Sequence, residues 1–251
     1  KSDIPSQGPF FANIFNTVDG FDTHAKIPEY YETMDKIAKD SAKVSIISSG
    51  WDPGMFSLNR LYSEAILPEG KSYTFWGKGV SQGHSDAVRR VNGVKNGIQY
   101  TIPLEEAINA VKKGDSPELT PSKGHKRVCY IVAQEGADKE QIEKDIKTMP
   151  DYFADYETEV HFISEEELNK NHNGLPHGGL VIRHGKTGLD KEHNHIVEYK
   201  IELGSNPDFT ASVLIAWARA AYRLNKEGVS GAKTVVDIAP IYLSKRTAEE
   251  V

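Results

Sequence analysis

The apolar positions of this chain recur with two periods. The segment IFNTVDGFDTH, residues 14–24, reads as a strand ending in a polar turn, and KVSIISSG, residues 43–50, reads as a second strand. Between them IPEYYETMDKIAKDSA, residues 27–42, has the spacing of an amphipathic helix. Strand, helix and strand at this length predict parallel pairing through a right-handed crossover. Both strands then end on one edge of a sheet, the edge at which open α/β sheets bind their ligands.

After Gly54 the pattern FSLNRLYSEAIL is helical, and from about residue 71 the order loosens into an α+β arrangement. Strands are predicted in SYTFWG, GIQYTIP, RVCYIVAQ, ETEVHFIS, GLVIRHG and HIVEYKIEL, and helices in SDAVRRV, LEEAINAVKKG and KEQIEKDIKTM. Short glycine-bearing turns, as in VIRHGKTGLDKEHNHIVEY, predict antiparallel pairing. The strongest helix is NPDFTASVLIAWARAAYRLNKEG, opened by Asn206 and Pro207 and stopped at Gly228. Phe209, Val213, Leu214, Trp217 and Ala221 recur on one of its faces. A last strand is expected in AKTVVDIAPIYL. There is no internal repeat or low-complexity tract. The pattern predicts a parallel βαβ unit, a larger α+β portion, and a C-terminal helix returning to pack on one of them.

Composition narrows the class. With 251 residues, 38% hydrophobic and 26% charged, the chain is long enough for a sizeable core. A net charge of -6 disfavours a nucleic-acid partner, and the basic groups Arg89–Arg90 and His125–Lys126–Arg127 are too short to reverse that. No apolar run approaches a membrane span and the N-terminus has no signal-peptide pattern, so a cytoplasmic protein is expected. Cys129, the single cysteine, lies in the apolar run VCYIVA, which predicts a buried packing residue.

Candidate chemistry gathers at the strand ends. Asp19 and Asp22 follow the first strand and Asp52 follows the second, so parallel neighbours would bring the three carboxylates together. Converging carboxylates hold an ammonium or serve as a base. Each also has a plainer reading: Asp52 before Pro53 resembles a helix N-cap, and Asp19 before Gly20 suits a turn. Trp51 is an odd neighbour for a bare cap. The stretch FWGKGVSQGHSD sets Gly77, Gly79 and Gly83 among Trp76, Gln82 and His84, without the spacing of a phosphate loop. Arg127 at the head of a strand suits a carboxylate, which Arg grips with two parallel bonds, and Thr101 is on its own a strand threonine. His172, His177, His193 and His195 lack the helical i, i+4 pairing of a zinc motif, so no metal is expected.

In this order TVDGFDTH, SSGWDPGMFSLNR, TFWGKGVSQGHSDAVRR, HKRVCY, TMPDYF, LPHGG and NPDFTAS closely resemble the meso-diaminopimelate dehydrogenase family, along essentially the whole chain. The resemblance implies an α/β fold with a partial Rossmann-like parallel βαβ unit, an α+β substrate-binding and dimerisation region and a C-terminal helix. It divides the chain at residues 1–50, 51–205 and 206–251. It implies an NADP-dependent oxidoreductase that oxidatively deaminates the D-centre of meso-2,6-diaminopimelate to L-2-amino-6-oxopimelate and ammonia, on the lysine and cell-wall pathway, as a homodimer. Asp22 and Asp52 then look like the holders of the reacting ammonium and jointly its base, with Trp51, Trp76, Gln82 and Gly83 shaping that end. Thr101, Arg127, His177 and Asn206 look like the set for the distal amino-acid end, and Val18, Asp19, Ser49 and Gly50 like the nicotinamide side of the cofactor site. The family's glycine-rich phosphate turn has no counterpart in these 251 residues, so an N-terminal segment ahead of Lys1 is expected. Two alternatives stay open on the sequence: a catalytically silent amino-acid-binding or dimerisation module, and a related D-amino-acid dehydrogenase.

Overall fold

A computed structural model describes residues 3–250. In chain order α1 (Ile4–Ala12), β1 (Thr17–Val18), α2 (Ile27–Asp40), β2 (Val44–Ile46) and α3 (Met55–Ile66) precede β3 (Gly70–Trp76), β4 (Gly79–Val80), α4 (Gln82–Arg89), β5 (Val94–Pro103), α5 (Glu105–Lys112) and α6 (Pro121–Gly124). Then come β6 (His125–Ala133), α7 (Lys139–Lys147), β7 (Glu157–Phe162), α8 (Glu165–Asn171), β8 (His177–Thr187), β9 (His193–Leu203), α9 (Asn206–Lys226) and β10 (Gly231–Lys233). Two compact units result, Lys1–Tyr62 with Pro207–Val251, and Ser63–Asn206.

The first unit is an α/β layer. Strand β2 lies between β1 and β10, parallel to both, with Thr17 opposite Ser45 and Lys233 opposite Ile46. Both faces of β2 are buried, as in a parallel sheet with helices on either side. On one face Tyr30, Met34 and Ala38, spaced one turn apart along α2, are buried, Tyr30 and Met34 in one cluster with Ile47 and Ala232. On the other, Trp217, Ala220, Ala221 and Leu224 of α9 cover Val44 and Ile46. Burying the larger of these, such as Met34, Ile46 and Leu224, stabilises by roughly 1.5–3 kcal/mol each. The expected strand in AKTVVDIAPIYL stops at Lys233. There the Thr234 amide donates to Asp237 Oδ2 at 2.7 Å and starts a 3₁₀ turn, and Pro240, which has no N–H, opens another.

The second unit holds two sheets. In one, β8 pairs antiparallel with β3 and β9. In the other, order β4-β5-β6-β7, only β6 and β7 are parallel, and α7 makes their crossover. One face of this sheet packs Cys129 and Ile131 against Val88 of α4 and Ile142 and Ile146 of α7. The other face puts Ile98 and Val132 against Leu168 of α8. That short acidic helix, EEELNKN, starts where Ser164 Oγ accepts the Glu167 amide at 3.1 Å. Among the described residues no helix is long and apolar enough to cross a membrane.

Candidate active site

In the first unit the ends of β1 and β2 are tied by one carboxylate. Asp19 Oδ1 accepts the amides of Phe21 (2.9 Å) and Ser48 (3.1 Å), and its Oδ2 accepts the Tyr30 hydroxyl (2.8 Å). Burial pushes this carboxyl above its ordinary range, although all three hydrogen bonds pull it down. The Tyr30 phenol is raised as well, by burial first and by the Asp19 charge second. The Asp19 carbonyl accepts both the amide (2.8 Å) and the hydroxyl (2.9 Å) of Ser49. Both Asp19 oxygens and the Ser49 hydroxyl are therefore occupied within the turn. Val18 pairs with Ile46, and beside Gly20 the space is open, since a Cβ there would meet nothing within 4 Å.

The turn from Gly50 to Met55 is tight for a definite reason. Gly54 has φ 131°, and a Cβ on it would stand 1.9 Å from the Gly50 carbonyl oxygen. The amides of Gly54, Met55 and Phe56, at the start of α3, already bond to Ser57 Oγ, Gly50 O and Trp51 O. Trp51 is buried edge-on to Phe56, with ring centroids 5.5 Å apart. Asp52 is 6% exposed at its side chain, and Arg60 Nη2 pairs with its Oδ1 at 2.7 Å. Arg60 was not singled out in the sequence. The available signal was that helical side chains lean toward the N-terminus, so a basic residue early in α3 can reach back to the preceding turn. Asp22 lies half-buried in the loop after β1.

In the second unit, register aligns the distal set. Gly79 of β4, Thr101 of β5, Arg127 of β6 and Thr158 of β7 form one row across the sheet. Arg127 Nη1 donates to Thr101 Oγ1, and the guanidinium lies 3.9 Å from the centroid of the Tyr156 ring. Arg127 is 7% exposed, its Nε is buried without a hydrogen-bond partner, and no carboxylate pairs with it among the described residues. Burial holds its guanidinium below the usual arginine range. Gln99, fully buried on the same face, donates from Nε2 to Thr101 Oγ1 at 3.4 Å, and its own amide is held by Ser85 Oγ at 2.9 Å. Neither Tyr156 nor Gln99 was anticipated. Gln99 was within reach of strand periodicity, since it precedes Thr101 by two and shares its face.

The row continues beyond the sheet. A Cβ on Gly79 would lie 2.5 Å from His177 Cα, so the glycine lets the chain at His177 dock against β4. Val80 N bonds to Pro176 O and Asn206 N to Leu175 O, both at 2.9 Å, which brings Asn206 beside the same loop. Gln82 and Gly83 open α4 and are exposed. Trp76 ends β3, and its amide donates to His125 Nε2 at 2.9 Å. His125, grouped by sequence with Lys126 and Arg127 as a basic cluster, is instead buried, and burial first and the Arg127 charge second push its imidazole down to about 4. Of the other histidines, His172 bonds the Tyr100 hydroxyl at 2.9 Å, while His193 and His195 are exposed on β9. No group of three metal-ligating side chains exists among the described residues.

Known proteins share this fold and much of this sequence. Residues 50–205 match the diaminopimelic acid dehydrogenase C-terminal domain. The meso-diaminopimelate D-dehydrogenase of Acetivibrio thermocellus is 66% identical over 251 residues, covering 100% of this chain and 75% of the relative. A sixfold-substituted meso-dapdh of Clostridium tetani, solved with DAP, has a TM-score of 0.94 at 56% identity over 99% of this chain and 76% of that one. Its first five substituted residues, a Gln, a Thr, an Arg, a Pro and a His, follow one another at the same intervals as Gln82, Thr101, Arg127, Pro176 and His177 here. An engineered D-amino acid dehydrogenase bound to NADP+ has a TM-score of 0.86 at 47% identity, over 99% of this chain and 77% of that one. With two thirds of its residues shared with the first of these along its whole length, the chain belongs to the meso-diaminopimelate dehydrogenase family of oxidoreductases.

Proposed function

We infer that this protein catalyses the NADP-dependent oxidative deamination of the D-centre of meso-2,6-diaminopimelate, yielding L-2-amino-6-oxopimelate and ammonia. The observation that carries the reading is Arg127: a guanidinium 7% exposed, without an acidic partner among the described residues, is a site prepared for a ligand carboxylate. Thr101 Oγ1 accepts from both Arg127 and Gln99, which leaves its own proton for use as a further donor to that carboxylate. His177 and Asn206 complete the set for the non-reacting end. The matching intervals in the substituted C. tetani enzyme support Gln82, Thr101, Arg127 and His177 as site residues.

The reacting end falls to Asp22 and Asp52. Deamination needs the α-amine neutral before hydride leaves Cα, and a carboxylate at this end accepts that proton directly or through water. Asp52, with Arg60 on one oxygen, holds a fixed orientation, and Trp51 and Trp76 supply aromatic walls. NADP, when bound, supplies the acceptor for the hydride. Val18, Asp19, Ser49 and Gly50 fall to its nicotinamide side, next to Gly20, where a Cβ would meet nothing within 4 Å. Because the Asp19 carboxylate is occupied internally, its contribution there is through the backbone. A cytoplasmic homodimer divided at residues 1–50, 51–205 and 206–251 belongs to the same reading, and the extent of the family match, residues 50–205, supports the central division.

The test is steady-state turnover of the full-length protein with meso-diaminopimelate and NADP, beside Asp52→Asn. Turnover in the wild type and a kcat loss of at least about tenfold in the variant are expected, as for removal of a base. No turnover, turnover restricted to simple D-amino acids, or an unimpaired variant refutes the assignment.

A further inference from the structure

His125 is the first residue of β6 and lies two positions before Arg127. It is 7% exposed. Its Nε2 accepts the Trp76 main-chain amide at 2.9 Å, and its ring stacks on the indole with centroids 5.5 Å apart and planes 29° from parallel. Phe75 flanks the same imidazole, at 5.9 Å and 42°. The indole is thus held from two directions, through its backbone and through one ring face, while Trp76 keeps 41% of its surface exposed.

An amide N–H can only donate, so Nε2 must present its lone pair, and in a neutral imidazole the proton then sits on Nδ1. Burial, with the Arg127 charge as the second cause, pushes His125 down to about 4, which keeps that lone pair available through the neutral range. A protonated ring would lose the acceptor for the Trp76 amide. The electron-rich face of an indole attracts ammonium groups, which gives a fixed Trp76 a direct use at the amine end of a substrate.

We propose that His125 is the positioning residue of Trp76 in the diaminopimelate reaction, locking the indole by a main-chain hydrogen bond and ring stacking so that it forms a fixed wall of the substrate pocket. This rests on the function inferred above. His125 itself exchanges no proton with substrate; its effect is on how well the pocket is formed before substrate arrives.

The experiment compares wild type, His125→Phe and His125→Gln in the full-length protein. Phe keeps a flat ring and removes the acceptor; Gln restores an acceptor and removes the ring. Loss of one hydrogen bond and a partly freed indole correspond to a KM for diaminopimelate raised about tenfold in His125→Phe. The kcat is expected within about twofold of wild type, with partial recovery of KM in His125→Gln. Acrylamide quenching reads Trp76 as the difference from the same samples carrying Trp76→Phe, since Trp51 and Trp217 are only 8% and 2% exposed. Quenching is expected to rise in His125→Phe. A KM unchanged within about twofold, a kcat that falls as steeply as a catalytic group would require, or a raised KM with unaltered quenching each overturns the proposal. If wild type does not turn over diaminopimelate, the functional reading fails, and unchanged quenching would then still refute the link between His125 and Trp76.

Discussion

Replacing Arg127 by Lys keeps the charge and removes the geometry. The guanidinium is bound to Thr101 Oγ1, lies 3.9 Å from the Tyr156 centroid and is 7% exposed, so it is fixed in place before any ligand arrives. A lysine ammonium has no planar fork, so one of two parallel bonds to a carboxylate is lost along with the stacking. One charge-assisted hydrogen bond is worth about 1.5–3 kcal/mol. At about 1.4 kcal/mol per factor of ten, KM for diaminopimelate should rise roughly 10- to 100-fold. Because the change falls on the non-reacting end, kcat should fall less than about threefold. Steady-state kinetics at saturating NADP measures both. Thr101→Val and the double variant then give a coupling energy, expected at roughly 0.5–3 kcal/mol for residues in direct contact. A KM within twofold of wild type, or a kcat that collapses while KM holds, would show that Arg127 does not grip a substrate carboxylate. Stability supplies an independent check. A buried charge without an acidic partner destabilises the empty protein, so Arg127→Met should raise the unfolding free energy by about 1–4 kcal/mol, read as a higher Tm, while affinity falls.

Other outcomes follow from the same contacts. Gly79→Ala places a Cβ 2.5 Å from His177 Cα, against backbone that cannot rotate away, so KM should rise as His177 is displaced, and kinetics indistinguishable from wild type would show the row is not required. Cys129 is fully buried and burial pushes its thiol up to about 12, so it should resist a thiol reagent at pH 8 in the native protein and react only after denaturation. His125, near 6.5 when unfolded, is held at about 4 in the fold. The unfolded chain therefore binds the extra proton first, and roughly 3 kcal/mol of stability is lost as pH falls from about 6.5 to about 4. Denaturant unfolding of His125→Gln should show a correspondingly shallower loss over that window.

The architecture was legible where a period of two or 3.6 is long enough to decide. Helices α2 and α9 carry such a period because each buries one stripe, and β9 alternates in exposure, whereas β2, β5, β6 and β8, buried on both faces, show as apolar runs bounded by turn residues. Short elements were not legible. In α8 a single residue, Leu168, is buried, so no stripe exists to detect, and the polarity of EEELNKN reads as a loop. The last strand failed for a related reason: TVVDI has the composition of a strand, but the Thr234–Asp237 capping pair wins locally over a ladder of only three residues.

Partners of the candidate site residues were the least legible, since they are set by register rather than by neighbours in sequence. Arg127 and Thr101 are 26 positions apart and meet only because β5 and β6 pair with that offset. Asp19, Asp22 and Asp52 were chemically equivalent as a list of carboxylates near two strand ends. Asp19 is now set apart from the other two. Its oxygens take the Phe21 and Ser48 amides and the Tyr30 hydroxyl, and its carbonyl takes Ser49, so one residue joins the loop after β1, the loop after β2 and α2. Removing that carboxylate would strand two buried amides, a structural loss of roughly 1–3 kcal/mol for each. Asp19→Ala and Asp52→Asn therefore predict opposite signatures. The first should lower Tm, with any loss of activity following the unfolded fraction. The second should leave the fold standing and lower kcat, and the reverse pattern would exchange their roles.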